Sequence, residues 1–162
     1  LNKQRQNHPI PPLYDEHSRV LILGSFPSVR SREQGFFYGH PRNRFWRVTA
    51  TVLGAEEPKT IAEKRDLLLR HGIALWDVIA SCEISGSADS TITDVLPNDL
   101  TPLFETCKNL RVFTNGKTAD LYYRRYQLPI HGREAVCLPS TSPANAAWSI
   151  EKLCEAWRRI TD

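Results

Sequence analysis

The sequence predicts an α/β protein, a three-layer α/β/α sandwich around a four-stranded, mainly parallel sheet. Four short, nearly continuous apolar runs recur along the chain, and stretches with helical spacing separate them. That alternation builds parallel sheets with helices on both faces. The 162 residues are enough for one well-formed core and too few for two, so residues 1–162 are expected to form a single domain.

The elements follow in chain order. The first residues, through Pro9, Pro11 and Pro12, read as an extended arm over residues 1–12. Arg19-Val20-Leu21-Ile22-Leu23-Gly24 is the first strand, apolar without alternation because both of its faces are covered. Phe45, Trp46, Val48, Thr49 and Val52 begin a helical pattern. Thr60-Ile61-Ala62-Glu63 is a capping box opening a helix that runs to Leu69, with Gly72 as its stop. Further strands are expected at Ile73 to Ile79, Leu110 to Thr114 and Ala135 to Leu138. After the last of these, small hydroxylated residues and Pro143 read as the first turn of a helix. Ile150, Leu153, Cys154, Trp157 and Ile160 then share one apolar helical face.

Hydrophobic residues at 41% and charged residues at 24% are a globular balance. No apolar run reaches bilayer length, and the polar start Asn2, Lys3, Gln4, Arg5 lacks a signal-peptide core. A soluble, cytoplasmic protein is expected, nucleoid-associated if prokaryotic. Cys82, Cys107, Cys137 and Cys154 show no metal-ligand spacing, so reduced thiols are expected and no metal site. The net charge of +3 neither requires nor excludes a nucleic-acid partner.

Open α/β sheets bind ligands beyond the carboxyl ends of their strands. The segments there are Gly24 to Trp46, Trp76 to Ile92, Asn115 to Lys117 and Leu138 to Asn145. From Arg30 to Arg47 five arginines meet the single acid Glu33, a local charge of +4, with Phe36, Phe37 and Tyr38 among them. Aromatic rings can stack bases while arginines neutralise phosphates. The same rings can plug a core, the better reading for Phe45 and Trp46. Ser140 through Asn145 can offer hydroxyls and backbone amides to a phosphate, or Ser142 can simply cap a helix. Asn115-Gly116-Lys117 is either a plain turn or a second phosphate contact. The chain has no GxGxxG, Walker-type loop or nucleophile elbow, which argues against a nucleotide-binding or hydrolytic α/β enzyme.

In order, GSFPS, FFYGHPRNRFW, LWDVIASCEISGSADSTI, TNG and LPSTSPAN resemble the uracil-DNA glycosylase superfamily over nearly the whole chain, and most of all its hypoxanthine-DNA (deoxyinosine) glycosylase branch. The resemblance implies a monofunctional DNA glycosylase. Such an enzyme flips a deaminated base, hypoxanthine or also uracil, out of DNA and hydrolyses its N-glycosidic bond, initiating base-excision repair. Damaged DNA is the implied partner, with no membrane, no cofactor, and a monomeric enzyme. Uracil-specific relatives hold water with Asp or Asn at the third position of the first block. Here that position is Phe26, and the residue matching the branch's catalytic asparagine is Asn43.

An amide cannot act as a general base at neutral pH, so Asn43 is expected to orient water toward an already dissociating sugar carbon. Phe26 is expected either to stack under the base or to pack in the core. Ser25, Asp77 and Ser140 are expected to border the base, with Asp77 accepting the N1 proton of hypoxanthine or bracing the loop to Ser85 and Ser90. Arg42, Arg44, Lys117, Ser140, Thr141, Ser142, Pro143, Ala144 and Asn145 are expected to face DNA. Where relatives place a donor for the departing base, this chain has Leu138. A uracil or mismatch enzyme of the same fold and a catalytically silent nucleic-acid-binding homologue are the competing readings.

Overall fold

The apolar run after Arg19 has nothing polar to offer solvent, and the fold places it at the centre of a sheet with every side chain buried. The computed structural model describes residues 3–162; Leu1 and Asn2, the tip of the expected arm, lie outside them. The chain runs β1 (Gln4–Asn7), β2 (Val20–Gly24), α1 (Val29–Gln34), α2 (Phe45–Leu53), α3 (Ile61–Arg70), β3 (Ile73–Asp77), β4 (Ile79–Ile84), β5 (Thr93–Pro97), α4 (Thr101–Thr106), β6 (Arg111–Asn115), α5 (Lys117–Tyr126), α6 (Leu128–His131), β7 (Ala135–Leu138) and α7 (Ile150–Trp157). Short 3₁₀ turns cover Asp89–Thr91 and Arg158–Thr161.

The main sheet has the order β3-β2-β6-β7 and is parallel throughout. Alternate side chains of β2 feed two cores. Val20 and Ile22 join Phe45, Leu68, Leu153 and Trp157 from α2, α3 and α7, whereas Leu21 and Leu23 join Leu103, Phe104 and Tyr123 from α4 and α5. The expected three layers and four parallel strands are therefore present. Phe36 and Phe37 belong to the first core as well, so the core-plugging alternative holds for them.

A second, antiparallel sheet, β1-β4-β5, was not foreseen. The expected strand from Ile73 to Ile79 is two strands that part after Asp77 and enter different sheets. Asn98 explains the break: its amide donates to the carbonyls of Asp77 and Ile79 at 2.9 and 3.2 Å, and its backbone N–H donates to Val78 O. Part of the expected arm is strand β1, paired with β4 from Gln4↔Ile84 to Asn7↔Ser81.

The helix expected at Pro143 does not form. Residues 141–148 are turns and bends, and α7 begins at Ile150 with Ser149 as its cap. The capping box does form, with Thr60 Oγ1 accepting from Glu63 N–H and Glu63 Oε1 accepting from Thr60 N–H. Replacing Thr60 with Ala should cost about 1 kcal/mol of stability, read as a lower urea midpoint, with DNA affinity unchanged because α3 contributes nothing to the strand ends.

Candidate functional site

Register brings the four strand ends together: Gly24 lies opposite Asp77, and Asn115 opposite Leu138. Gly24 has to be glycine, since a Cβ there would sit 2.3 Å from Asp77 Oδ1 and 3.0 Å from the Tyr38 hydroxyl. Asp77 is held from the N-terminal side of the chain. His8, immediately after β1, sits 2.7 Å from Asp77 Oδ2, with both side chains at most 5% exposed. The Ile10 N–H donates to His8 Nδ1, so the ring proton resides on Nε2 and is donated to the carboxylate. The imidazole is a neutral donor here. Its ring meets Phe26 and Trp76 edge-on.

The alternative role expected for Asp77 is bracing the loop to Ser85 and Ser90; its Oδ2 is held by His8. That loop is tied down by Ser87 accepting from Val29 N–H, by Arg32 donating to Gly86 O, and by Asp89. Ser25 Oγ donates to both Asp89 oxygens at 3.1 and 2.9 Å. Although the residue as a whole is exposed, the Asp89 carboxyl is turned inward onto Ser25. Burial pushes it up from 3.8 to about 6; the Ser25 hydrogen bond opposes this and the charge of Asp77 adds to it. Phe26 is buried, and the Arg32 guanidinium lies 5.4 Å from its ring centre. One face of that ring is therefore occupied.

A chain of hydrogen bonds joins Asn43 to the end of β6. Asn43 Oδ1 accepts from Phe45 N–H and from Thr141 Oγ1, each at 2.9 Å. Thr141 Oγ1 accepts from Asn115 Nδ2, and Thr141 N–H donates to Asn115 Oδ1. Asn115 is thus a structural bridge rather than a simple turn. Arg44, next to Asn43, turns its guanidinium onto the 141–148 segment, donating to the carbonyls of Thr141, Ser142, Asn145 and Trp148. The expectation that it faces phosphate gives way to a clamp. Nor do the loop amides stand open for an anion: those of Ser142 and Ala144 donate to Ser140 Oγ and Ser142 Oγ. Arg42, Lys117 and Ala144 remain exposed on this rim, and Ser140, Ser142, Pro143 and Asn145 are half-buried. Two clefts, of about 380 and 460 Å³, lie elsewhere, near the starts of β6 and β7 and between α2 and α7.

The Uracil DNA glycosylase superfamily model matches residues 11–161. The chain belongs to the uracil DNA glycosylase superfamily. This superfamily member is 37% identical over 152 residues to the hypoxanthine DNA glycosylase of Methanosarcina acetivorans, covering 93% of this chain and 94% of that one. It is 36% identical over 137 residues to the Methanosarcina barkeri protein of the same name, covering 83% and 85%. A candidate uracil DNA glycosylase of M. acetivorans solved by NMR superposes with a TM-score of 0.80 at 32% identity, covering 98% of this chain and all of that one.

In this superfamily chain the sequence had left His8 unnoticed, because a lone histidine in a polar arm carries no signal. Asp89 sat unmarked in a serine-rich loop. Among the described residues no cluster of potential metal ligands occurs, and no helix is long and apolar enough to cross a membrane.

Three outcomes follow from this geometry. Arg44→Ala should lower stability by on the order of 3 kcal/mol, since it leaves several buried or half-buried carbonyls without a charged donor; urea unfolding measures it. Arg42→Ala should leave stability alone and flatten the salt dependence of DNA binding by about one phosphate contact. For Asp89 the folded state holds its proton more tightly than the unfolded chain. The favourable contribution is therefore complete below the ordinary aspartate range and is lost as pH rises through about 6. Relative to Asp89→Asn, the wild type should lose stability between about pH 4 and pH 6, in urea midpoints taken across that window.

Proposed function

We propose that this protein is a monofunctional DNA glycosylase that releases hypoxanthine from DNA, with Asn43 positioning the attacking water. The orientation of Asn43 carries the proposal. The Phe45 N–H can only donate, so Oδ1 must face it, and Nδ2 is left to point away from the Thr141 bridge. An amide N–H donated to a water oxygen leaves that oxygen another lone pair for C1′ of the deoxyribose. It cannot take the water's proton. The glycosidic bond must then be largely broken before attack, and the rate depends on how well the departing base is stabilised.

The two Methanosarcina relatives are hypoxanthine DNA glycosylases by name, which supports hypoxanthine as the base. The substrate is DNA carrying deoxyinosine, everted so that the base reaches the strand ends. One chain supplies every group invoked, so no second copy is needed to complete the proposed site. Lys117 is the only lysine in the strand-end segments, and it is exposed at the start of α5, so no Schiff base forms and strand scission needs heat or alkali.

The test is incubation of the protein with duplexes containing deoxyinosine, deoxyuridine or G:T pairs, scored for abasic sites. Deoxyinosine is expected to be cleaved, and Asn43→Ala should lower that rate by about 100-fold or more while DNA affinity is kept. Binding without abasic product from any of the three would instead identify a silent homologue. Borohydride should trap no covalent adduct; a trapped adduct would remove the hydrolytic mechanism.

A further inference from the structure

Tyr38 is built at a cost that no polar contact within the fold offsets. Its backbone is left-handed, with φ of +52°, a conformation that bulky side chains avoid. Its hydroxyl is buried and is the one buried side-chain polar atom without a hydrogen-bond partner among the described residues. Asn115 lies near enough to lower the phenol pKa slightly; its Oδ1 and one N–H are taken by Thr141, and its second N–H does not reach the hydroxyl with hydrogen-bond geometry. The ring is locked in place, stacked on Phe45 with centres 4.1 Å apart. An orphaned hydroxyl on a fixed ring calls for a partner that arrives later.

Where that partner sits follows from Gly24. The Tyr38 hydroxyl and Asp77 Oδ1 both approach the point where a Gly24 side chain would begin, at the carboxyl ends of β2 and β3. Asp77 Oδ2 is already committed to His8, which fixes the carboxylate's rotation. Burial, with the Asp77 charge adding to it, pushes the phenol well above its usual range. It therefore stays protonated and acts as a donor. A donor and an acceptor are thus presented side by side.

We propose that Tyr38 and Asp77 together read the lactam edge of the everted base, the hydroxyl donating to the exocyclic oxygen and the carboxylate accepting from the neighbouring ring N–H. The proposal rests on the glycosylase reading above and adds the group that selects the base. Hypoxanthine presents a carbonyl oxygen beside N1–H, the complement of this pair. Adenine, its parent before deamination, presents an amino group beside a bare ring nitrogen, the reverse polarity: its N1 would meet the carboxylate acceptor against acceptor, and Tyr38 would have to turn its proton away to accept from the amino group. As the glycosidic bond breaks, negative charge spreads onto the base, and the hydrogen bond from Tyr38 strengthens with it. Tyr38 thereby supplies the donor whose usual place after the last parallel strand is taken by Leu138. No proton is transferred in this step; the hydroxyl only polarises.

Tyr38→Phe keeps the stacked ring and removes the one oxygen. Three quantities decide the matter: single-turnover cleavage of deoxyinosine DNA, affinity for duplexes carrying uncleavable 2′-fluoro-deoxyinosine or 2′-fluoro-deoxyadenosine, and affinity for a tetrahydrofuran abasic analogue, which has no base to read. The variant should cleave deoxyinosine about 10- to 100-fold more slowly and lose about tenfold of the preference for the inosine analogue over the adenosine one. Affinity for the abasic analogue should not move, and Tm should hold or rise, because a buried unsatisfied hydroxyl has been deleted. An unchanged preference, or a fall in Tm and abasic-site affinity in step with activity, would overturn the assignment. If the wild type yields no abasic sites from deoxyinosine at all, the glycosylase reading itself fails. A loss confined to Asp77→Asn, with Tyr38→Phe still discriminating, would leave that reading standing and remove Tyr38 from it.

Discussion

The guanidinium of Arg44 holds the strand-end site in shape. Four carbonyls of the 141–148 segment converge on it, and a fifth contact comes from its own backbone N–H to Thr141 O. The consequence is topological. A loop that follows the last strand is pinned to the first turn of α2, roughly a hundred residues earlier in the chain, and Asn43 is carried along as the adjacent residue. Hydrogen bonds from a charged donor are worth about 1.5–3 kcal/mol each when they cannot be replaced by water. The Thr141 bridge to Asn43 and Asn115 depends on the loop staying where Arg44 puts it. Catalytic geometry tolerates little slack, so on the proposed role of Asn43 the clamp would serve function by supporting its neighbour.

On the opposite side of the site the polar groups are nearly dry. His8 and Asp77 are buried together, and such a pair is costly if both partners are charged and incompletely bonded. The Ile10 N–H avoids this by occupying Nδ1, which keeps the imidazole neutral and makes it a directional donor. Strand β1 therefore does more than extend the small sheet. It delivers one end of the hydrogen bond that fixes Asp77, so pairing of β1 with β4 and orientation of the Asp77 carboxylate are linked structurally.

The parts of the fold legible in the sequence were those encoded locally. Val20 to Gly24 reads as a doubly buried strand because it contains no polar residue, and Thr60 with Glu63 reads as a capping box because both partners lie within one turn. What escaped was set by distant residues. The run from Ile73 to Ile79 looks continuous, and only Asn98, by taking the carbonyls of Asp77 and Ile79, divides it. Pro143 looks like a helix start, and the Arg44 guanidinium, with the Ser140 and Ser142 hydroxyls and the Asn145 amide, keeps its neighbours in turns. Strand β1 is polar on all four residues, so no periodicity marks it. In the site, Asn43 and Asp77 were found through ordered motif resemblance, whereas His8 and the free hydroxyl of Tyr38 become visible only when side chains have directions.

The two carboxylates at the strand ends pose an electrostatic question that the fold answers in part. Negative charge grows on a departing base, and a carboxylate beside it opposes departure. The His8 N–H bonds Asp77 and the Ser25 hydroxyl bonds Asp89, each drawing negative charge off its carboxylate. The Arg32 guanidinium adds positive charge over Phe26. The residual penalty falls unevenly on different bases. A purine carries an imidazole nitrogen that can accept a proton from solvent as it leaves and so depart neutral, whereas uracil has no second ring on which to do so. If Asp77 lies beside the base as proposed, the site gives up leaving-group stabilisation for edge recognition, and the loss is smaller for hypoxanthine than for uracil. On the proposed reading, the same charge that slows the chemistry contributes to the choice of base.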